Sequence, residues 1–213
     1  MKPVRILLAD DHAIVIEGLR RILDRPDFEV IEVAENGHSL VEKAVALQPD
    51  VIIADIGMPL LNGIDAAREI RSRVDKPKII FLTMHPELTY AKAALAAGAL
   101  GYVIKSAAGE SLIKAIRSAL KGESYISEPI AAALAQSTQI RVTGGRPGTE
   151  PLTSRQREVL QLLAEGKQVK EIANLLRISP KTAEFHKYRI MDLLGLRTVA
   201  DLARYAQKHG IVA

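Results

Sequence analysis

The chain has 213 residues, enough for two modest domains, with 48% hydrophobic residues and no Cys. The lack of thiols excludes disulfides and a thiolate metal site. No apolar run reaches the ~18 residues a membrane span needs, and the N-terminus lacks a signal-peptide pattern, so a soluble cytoplasmic protein with no membrane partner is expected. Charge is uneven: residues 1–125 carry 16 Lys/Arg against 17 Asp/Glu, and residues 151–213 carry 11 against 6. A nearly neutral front and a basic back suggest two jobs, the second on a polyanion.

In chain order, Pro3 to Ala9 reads as a strand that ends at Asp10-Asp11, and helical spacing follows from His12 to Leu23. Phe28 to Ala34 alternates apolar and acidic residues, as a half-buried edge strand does, and Ser39 to Leu47 is helical. Val51-Ile52-Ile53-Ala54 is a short apolar run stopped by Asp55-Ile56-Gly57-Met58-Pro59, the pattern of a strand buried on both faces. Gly63–Arg71 predicts a helix, Lys78–Thr83 a fourth strand, Leu88–Ala97 a helix, Gly101–Ile104 a fifth strand and Gly109–Leu120 a fifth helix. Five strands alternating with five helices imply an α/β fold: a doubly wound, flavodoxin-like parallel sheet of order 2-1-3-4-5.

Residues 122–150 change character. A short helix is expected at Pro129–Gln136, and Thr143–Pro151 has no periodicity, so this stretch reads as a linker between a domain over 3–121 and one over 151–213. The last part is all α. Thr153 or Ser154 can cap a helix over Arg155–Glu165, with short pieces at Lys170–Leu176, from Ser179-Pro180 to Leu194, and at Val199–Lys208. The helices on either side of Arg177-Ile178-Ser179 are a helix-turn-helix candidate.

The sheet order makes the first and third strands neighbours, so Asp10, Asp11 and Asp55 converge at the carboxyl edge, where open α/β sheets bind ligands. Packed carboxylates stay ionised only with a cation. Hard oxygen donors suit Mg²⁺, with Asp11 and Asp55 direct ligands and the Gly57 carbonyl a third. Thr83 ends the fourth strand with a hydroxyl and Lys105 follows the fifth with an ammonium. Both suit the oxygens of a phosphoryl group on Asp55, since phosphoryl transfer needs mainly positioning and charge neutralisation. Gly57 and His85 are expected to flank the pocket mouth, where the missing side chain of Gly57 lets water reach an acyl phosphate. His12 and His85 read as surface residues.

Ala9-Asp10-Asp11, Asp55-Ile-Gly-Met-Pro with Asn62-Gly63, Leu82-Thr83 and Gly101-Tyr-Val-Ile-Lys105 together resemble the receiver domain of two-component response regulators, over about residues 3–121. The resemblance implies phosphorylation of Asp55 by a sensor histidine kinase with Mg²⁺. It also implies that Tyr102 turns inward when Thr83 shifts toward the phosphoryl group, with ordinary edge packing the other reading of Tyr102. Leu152–Leu160, Lys170-Glu-Ile-Ala173, Ile178–His186 and Leu194-Gly-Leu196 resemble the LuxR-type helix-turn-helix. The whole chain is then similar to NarL/FixJ-type response regulators. This implies promoter DNA, a homodimer when phosphorylated, and RNA polymerase as a further candidate partner. It implies no enzyme beyond the chain's own phosphorylation and dephosphorylation.

On the helix after Ser179, Ala183, Ile190, Leu193 and Leu194 share the face expected inward. Lys181, Glu184, Phe185, Tyr188 and Asp192 lie on the other. An outward Phe185 beside Tyr188 suits thymine methyls, and Glu184 suits a cytosine amino group, whereas Lys181, Thr182, Lys187 and Arg189 suit phosphates. Core packing is the alternative for Phe185. Lys167-Gln168-Val169 departs from the family's Ser-Asn-type helix start, so a weaker cap is expected there, and Tyr188 departs from the smaller or basic residue common at its position. Leu202, Ala203 and Ala206 are expected at a contact between DNA-binding domains. Two other readings stay open: a phosphotransfer or hydrolytic enzyme acting on an outside substrate, and a constitutive DNA-binding protein with an idle receiver.

Overall fold

The structure is a computed structural model that describes residues 2–84, 86–139 and 152–212. Two compact units divide the chain, Met1–Leu134 and Ala135–Ala213. In the first, β1 (Val4–Ala9), α1 (Ala13–Ile22), β2 (Phe28–Ala34), α2 (Gly37–Leu47), β3 (Val51–Ala54), α3 (Gly63–Arg73), β4 (Ile79–Thr83), α4 (Leu88–Ala96), β5 (Gly101–Ile104), α5 (Ala108–Leu120) and β6 (Tyr125–Ile126) alternate. The sheet order is β2-β1-β3-β4-β5-β6, with every pairing parallel.

The near-continuous apolar strands follow from what lies on each face. Successive side chains of a strand point to opposite sides, and here both sides are covered. Leu7, Ala9, Ile52, Ala54, Ile79, Phe81 and Tyr102 enter one core with Leu40, Ile64 and Tyr90 of α2, α3 and α4. Ile6, Leu8, Val51, Ile53, Ile80, Leu82 and Val103 enter the other with Leu19 of α1 and Leu112 and Ile116 of α5. Each such side chain contributes about 1.5–3 kcal/mol of burial. β2, at the edge, exposes Glu29 and Glu32, but its alternation is interrupted: the register with β1 passes from Val30 to Glu32, so the two acids, three residues apart, are both exposed.

Two expectations change. The sheet has six strands rather than five, because Tyr125–Ile126 pairs with the open edge of β5. The segment read as a linker from residue 122 also begins inside the first unit. Helix α6 (Glu128–Gln139) covers and extends the helix expected at Pro129–Gln136. Its Ile130 is buried, and Leu134 packs against the same core as Tyr102. The reason is physical: a two-residue strand has no period of its own and forms only against a template edge. The Thr143–Pro151 stretch lies outside the described residues.

The second unit contains α7 (Ser154–Ala164), α8 (Val169–Leu175), α9 (Pro180–Leu194) and α10 (Val199–Lys208). Local capping sets these boundaries. Thr153, not Ser154, is the cap of α7: its hydroxyl accepts the Gln156 N–H at 3.3 Å, and Gln156 Oε1 accepts the Thr153 N–H at 2.8 Å. Before α8 the Gln168 N–H donates to Glu171 Oε2 at 2.7 Å, which supports the start that lacks Ser-Asn. Ser179 Oγ accepts the Thr182 N–H at 3.0 Å with Pro180 next in the chain. Gly195 ends α9 at φ +65°, a conformation that Cβ disfavours. Leu202 and Ala206 of α10 are fully buried with Leu160 and Leu163 of α7. These two are therefore core residues of this unit and not the contact between DNA-binding domains expected of them, because their side chains are spent on their own domain, whereas Ala203 is half-buried. No described helix is long and apolar enough to cross a membrane.

Candidate functional site

The carboxyl edge of the sheet gathers the acids. Parallel pairing sets β1 beside β3 through Ala9↔Ala54, so Asp10 and Asp55 leave adjacent strands side by side. The Asp55 N–H donates to the Ala9 carbonyl at 2.8 Å. Both acids are buried, at 2% and 7% exposure. They meet on one cation: Lys105 Nζ lies 2.7 Å from Asp10 Oδ2 and 3.0 Å from Asp55 Oδ2. Asp55 Oδ1 also accepts the Ile56 N–H at 2.8 Å.

Asp11 stands at the rim. His12 Nδ1 lies 2.9 Å from Asp11 Oδ1 and 3.2 Å from Asp10 Oδ1. Asp10, Asp11 and His12 form a group able to hold a metal ion. Asp55 is not part of that compact group. The Lys105 ammonium links it to Asp10, so the expected convergence of three carboxylates on one point is seen as two pairs, Asp10 with Asp11 through His12 and Asp10 with Asp55 through Lys105. His12 is exposed, as the sequence suggests, yet its ring touches both acids. The contiguous Asp-Asp-His run was the available signal for this.

Burial and charge act against each other on this acid pair and its cation. Burial pushes the Asp55 carboxyl up; Lys105 pulls it back by charge and hydrogen bonding, Asp10 adds repulsion, and the net direction is upward. Burial also works against the Lys105 charge, but hydrogen bonds and attraction from Asp10 and Asp55 outweigh it and hold the ammonium above its ordinary range. Two acids around one cation leave a surplus of negative charge, and the donors are hard oxygens. A small divalent cation fits both facts. Lys105→Met removes the shared cation while keeping the stem. Its expected cost in chelator is about 2 kcal/mol, below the usual figure for breaking a buried pair because the pocket reaches solvent. Mg²⁺ should recover more stability in this variant than in the parent, which denaturant titration with and without Mg²⁺ measures.

The remaining residues line the same edge. Thr83 is fully buried and pairs with Ile104 in register, one residue before Lys105. Tyr102 is also fully buried, and its hydroxyl is held far above its usual range by burial first and then by the charge of Glu87. Tyr102 lies in the core that also holds Tyr90 and Ala91 of α4. Gly57 is exposed, and a Cβ there would lie 3.8 Å from Asp55 Oδ2, in open contact range. His85 lies outside the described residues.

On α9, Ala183 and Ile190 are buried, and Leu193 and Leu194 pack against the same core. Lys181, Thr182, Glu184, Phe185, Tyr188 and Arg189 are exposed, and Lys187 is half-buried. Phe185 is 64% and Tyr188 60% exposed. Core packing is therefore excluded for Phe185 within this unit. Lys187 Nζ sits 5.7 Å from the Tyr188 ring centre. Arg189 pairs with Asp192 at 3.2 Å, so part of its charge is already met. Two adjacent exposed aromatics flanked by cations on one helix face are expensive in water and suited to a stacked or methyl-bearing polyanion.

Comparison with known proteins agrees with both halves. Residues 6–117 match the response regulator receiver domain family, and residues 150–206 match the family described as bacterial regulatory proteins, luxR family. The chain is 36% identical over 211 residues to the transcriptional regulatory protein MctR of Rhizobium johnstonii, covering 99% of this chain and 96% of that one. It is 37% identical over 212 residues to the oxygen regulatory protein NreC of Staphylococcus aureus, covering 96% and 97%. It is similar to the solved structure of RcsB from Salmonella enterica serovar Typhimurium bound to promoter rprA in the presence of phosphomimetic BeF3-, with 30% identity, a TM-score of 0.60, and 96% and 98% coverage. With its acid pocket on a parallel sheet and its exposed α9 face, the chain belongs to the two-component response regulators that join a receiver domain to a LuxR-type DNA-binding domain, a family of transcription regulators.

Proposed function

We propose that Asp55 is the phosphoacceptor and that its phosphorylation by a sensor histidine kinase controls DNA binding by α9. The observation that carries this reading is the single Lys105 ammonium held between the buried Asp10 and Asp55. In the transfer, an Asp55 carboxylate oxygen forms a bond to phosphorus as the phosphorus–nitrogen bond of the donor's phosphohistidine breaks, and the imidazole leaves with a proton. Lys105 neutralises the transferred oxygens, and the Thr83 hydroxyl donates to one of them. Asp11, Asp55 and the Gly57 carbonyl would hold a Mg²⁺ ion, with Asp10 beside them. When bound, that ion supplies the positive charge the pocket lacks. Tyr102, buried in the core with residues of α4, is the aromatic that follows Thr83 when Thr83 shifts toward the phosphoryl group. Outside this self-modification the chain has no enzymatic role.

The phosphorylated form acts as a homodimer on two half-sites of promoter DNA, because one small helical module makes few phosphate contacts. RNA polymerase is a further partner at such a promoter, and the protein works in the cytoplasm. Phe185, Tyr188 and Glu184 read base edges; Lys181, Thr182, Lys187 and Arg189 meet phosphates. Phe185→Ala should relax preference at one position of a selected duplex and weaken binding there by about 1–3 kcal/mol. Lys187→Ala should weaken binding to all duplexes alike and reduce the salt slope by about 1. Fluorescence anisotropy over a salt series separates the two. The reading as a whole is tested by incubation with acetyl phosphate and Mg²⁺ followed by intact mass measurement. One added phosphoryl group on Asp55 is expected, and its absence would leave an idle receiver.

A further inference from the structure

At the open edge of β5, the segment 125–131 does two things at once. Tyr125 donates its N–H to the Leu100 carbonyl at 2.8 Å, and Ser127 donates its N–H to the Tyr102 carbonyl at 2.9 Å. These are rungs of a parallel ladder, and the next would run from the Ile104 N–H to the Ser127 carbonyl. That carbonyl has turned away to start α6, where it accepts the N–H groups of Ile130 and Ala131 at 2.9 and 3.0 Å. The Ser127 hydroxyl takes its place and accepts the Ile104 N–H at 3.2 Å. A serine at a helix start ordinarily turns its hydroxyl onto the first-turn donors. Here the residue two places on is Pro129, which has no N–H to offer, and the hydroxyl serves the strand instead.

We propose that Ser127 is a positioning residue for Lys105, and that through it the connection to the DNA-binding domain is tied to the phosphoacceptor pocket. Ile104 is the last residue of β5, and the chain turns at Lys105 into a short 3-10 segment, Lys105–Ala107. The Ser127 hydrogen bond is therefore made one residue before the ammonium that bridges Asp10 and Asp55. Ser127 is only 5% exposed, so water is a poor substitute. The same helix puts Ile130 and Leu134 against the core that contains Tyr102. It then runs on to Gln139, past Leu134, the last residue of the first unit. A displacement of the Ile104–Lys105 peptide must move the start of α6 or break the bond to Ser127. Energetic coupling of this kind runs in both directions.

This inference rests on Asp55 as the phosphoacceptor, and the test keeps the two apart. The full chain is compared with Ser127→Ala, Ser127→Thr and Ser127→Val. The last two match in shape and differ in the hydroxyl, so they decide the matter even if the alanine variant folds poorly. Three quantities are measured: the rate of adduct formation on Asp55 with acetyl phosphate and Mg²⁺, the factor by which phosphodonor tightens binding to a duplex selected from random DNA, and the thermal midpoint. The Ala and Val variants are expected to form the adduct about fivefold more slowly, the factor that goes with one lost hydrogen bond. They should also lose most of the phosphodonor effect on DNA while keeping the affinity seen without phosphodonor. The Thr variant should retain the parent's values for both. Equal rates and equal DNA responses in all four proteins would overturn the role of Ser127, as would a Thr variant that behaves like Val. If the parent forms no adduct, the assignment of Asp55 fails, a result distinct from a parent-like Val variant.

Discussion

Asp55→Asn is expected to abolish the phosphoryl adduct and to flatten the response of DNA binding to phosphodonor. The amide lacks the anionic nucleophile, and its one oxygen can keep either the Ile56 N–H contact or the Lys105 contact that the two carboxylate oxygens make together. Intact mass with acetyl phosphate and Mg²⁺ reads the first effect, and anisotropy on a selected duplex reads the second. An adduct that survives on another residue would sink the assignment. The same variant has a stability signature in chelator. The Asp55 carboxyl is raised in the folded protein, by burial first, so the folded state holds that proton more tightly than the unfolded chain does. The resulting stabilisation is present below the ordinary carboxylate value of about 4 and is lost as pH rises through the raised value. At neutral pH the parent therefore carries a buried charge that Asn does not. The variant should melt a few degrees higher, on the order of the shift that goes with 1 kcal/mol. That advantage should close as pH falls toward about 4. A midpoint lower than the parent's at pH 7 would contradict it.

Gly63→Ala is expected to cost about 3–4 kcal/mol, at the upper end for overpacking. Gly63 opens α3, and its N–H donates to the Ile56 carbonyl at 2.9 Å. A Cβ at that position would lie 2.0 Å from the Asp55 carbonyl oxygen and 3.0 Å from its carbonyl carbon. Those are backbone atoms at the end of β3, so no side chain can swing aside. The loop between them has little slack either, since Asn62 caps α3 by accepting the Asp65 N–H at 2.8 Å and donates to the Asp65 carboxylate at 2.9 Å. Relief has to come from moving Asp55 or the start of α3. Denaturant titration measures the stability loss, and the rate of adduct formation should fall with it because Asp55 is displaced. A variant of parental stability would show that α3 can retreat at no cost.

Much of the fold was legible because its signals are local. The runs Val51–Ala54 and Ile79–Thr83 are strands buried on both faces, and their shortness, β-branched content and flanking turn residues set them apart from a buried helix. Phe28–Ala34 announced an edge strand by its interspersed acids, although the bulge that spaces Glu29 and Glu32 three apart was not legible, and Ser179-Pro180 announced the start of α9. The site was legible in part. Acids at the ends of neighbouring parallel strands must converge once the strand order is set, so the meeting of Asp10 and Asp55 follows from topology. How Lys105 divides itself between them does not follow, because a flexible four-carbon stem can reach many places. On α9, spacing divided the helix correctly into two faces, but only the packed core decided that Phe185 lies outside it.

By itself the sequence determined the alternation of strands and helices, the two-domain plan and the residue types available for phosphoryl and DNA chemistry, since period, caps and motif spacing are properties of the chain alone. Tertiary structure alone decided that residues 122–134 belong to the first unit, that Leu202 and Ala206 are core, and that Ser127 completes the ladder of β5. Each of these depends on a partner far away in sequence or on an edge that exists only after folding. A two-residue strand, a buried methyl and a hydroxyl in place of a carbonyl carry no period to read, and their meaning comes from what stands opposite them.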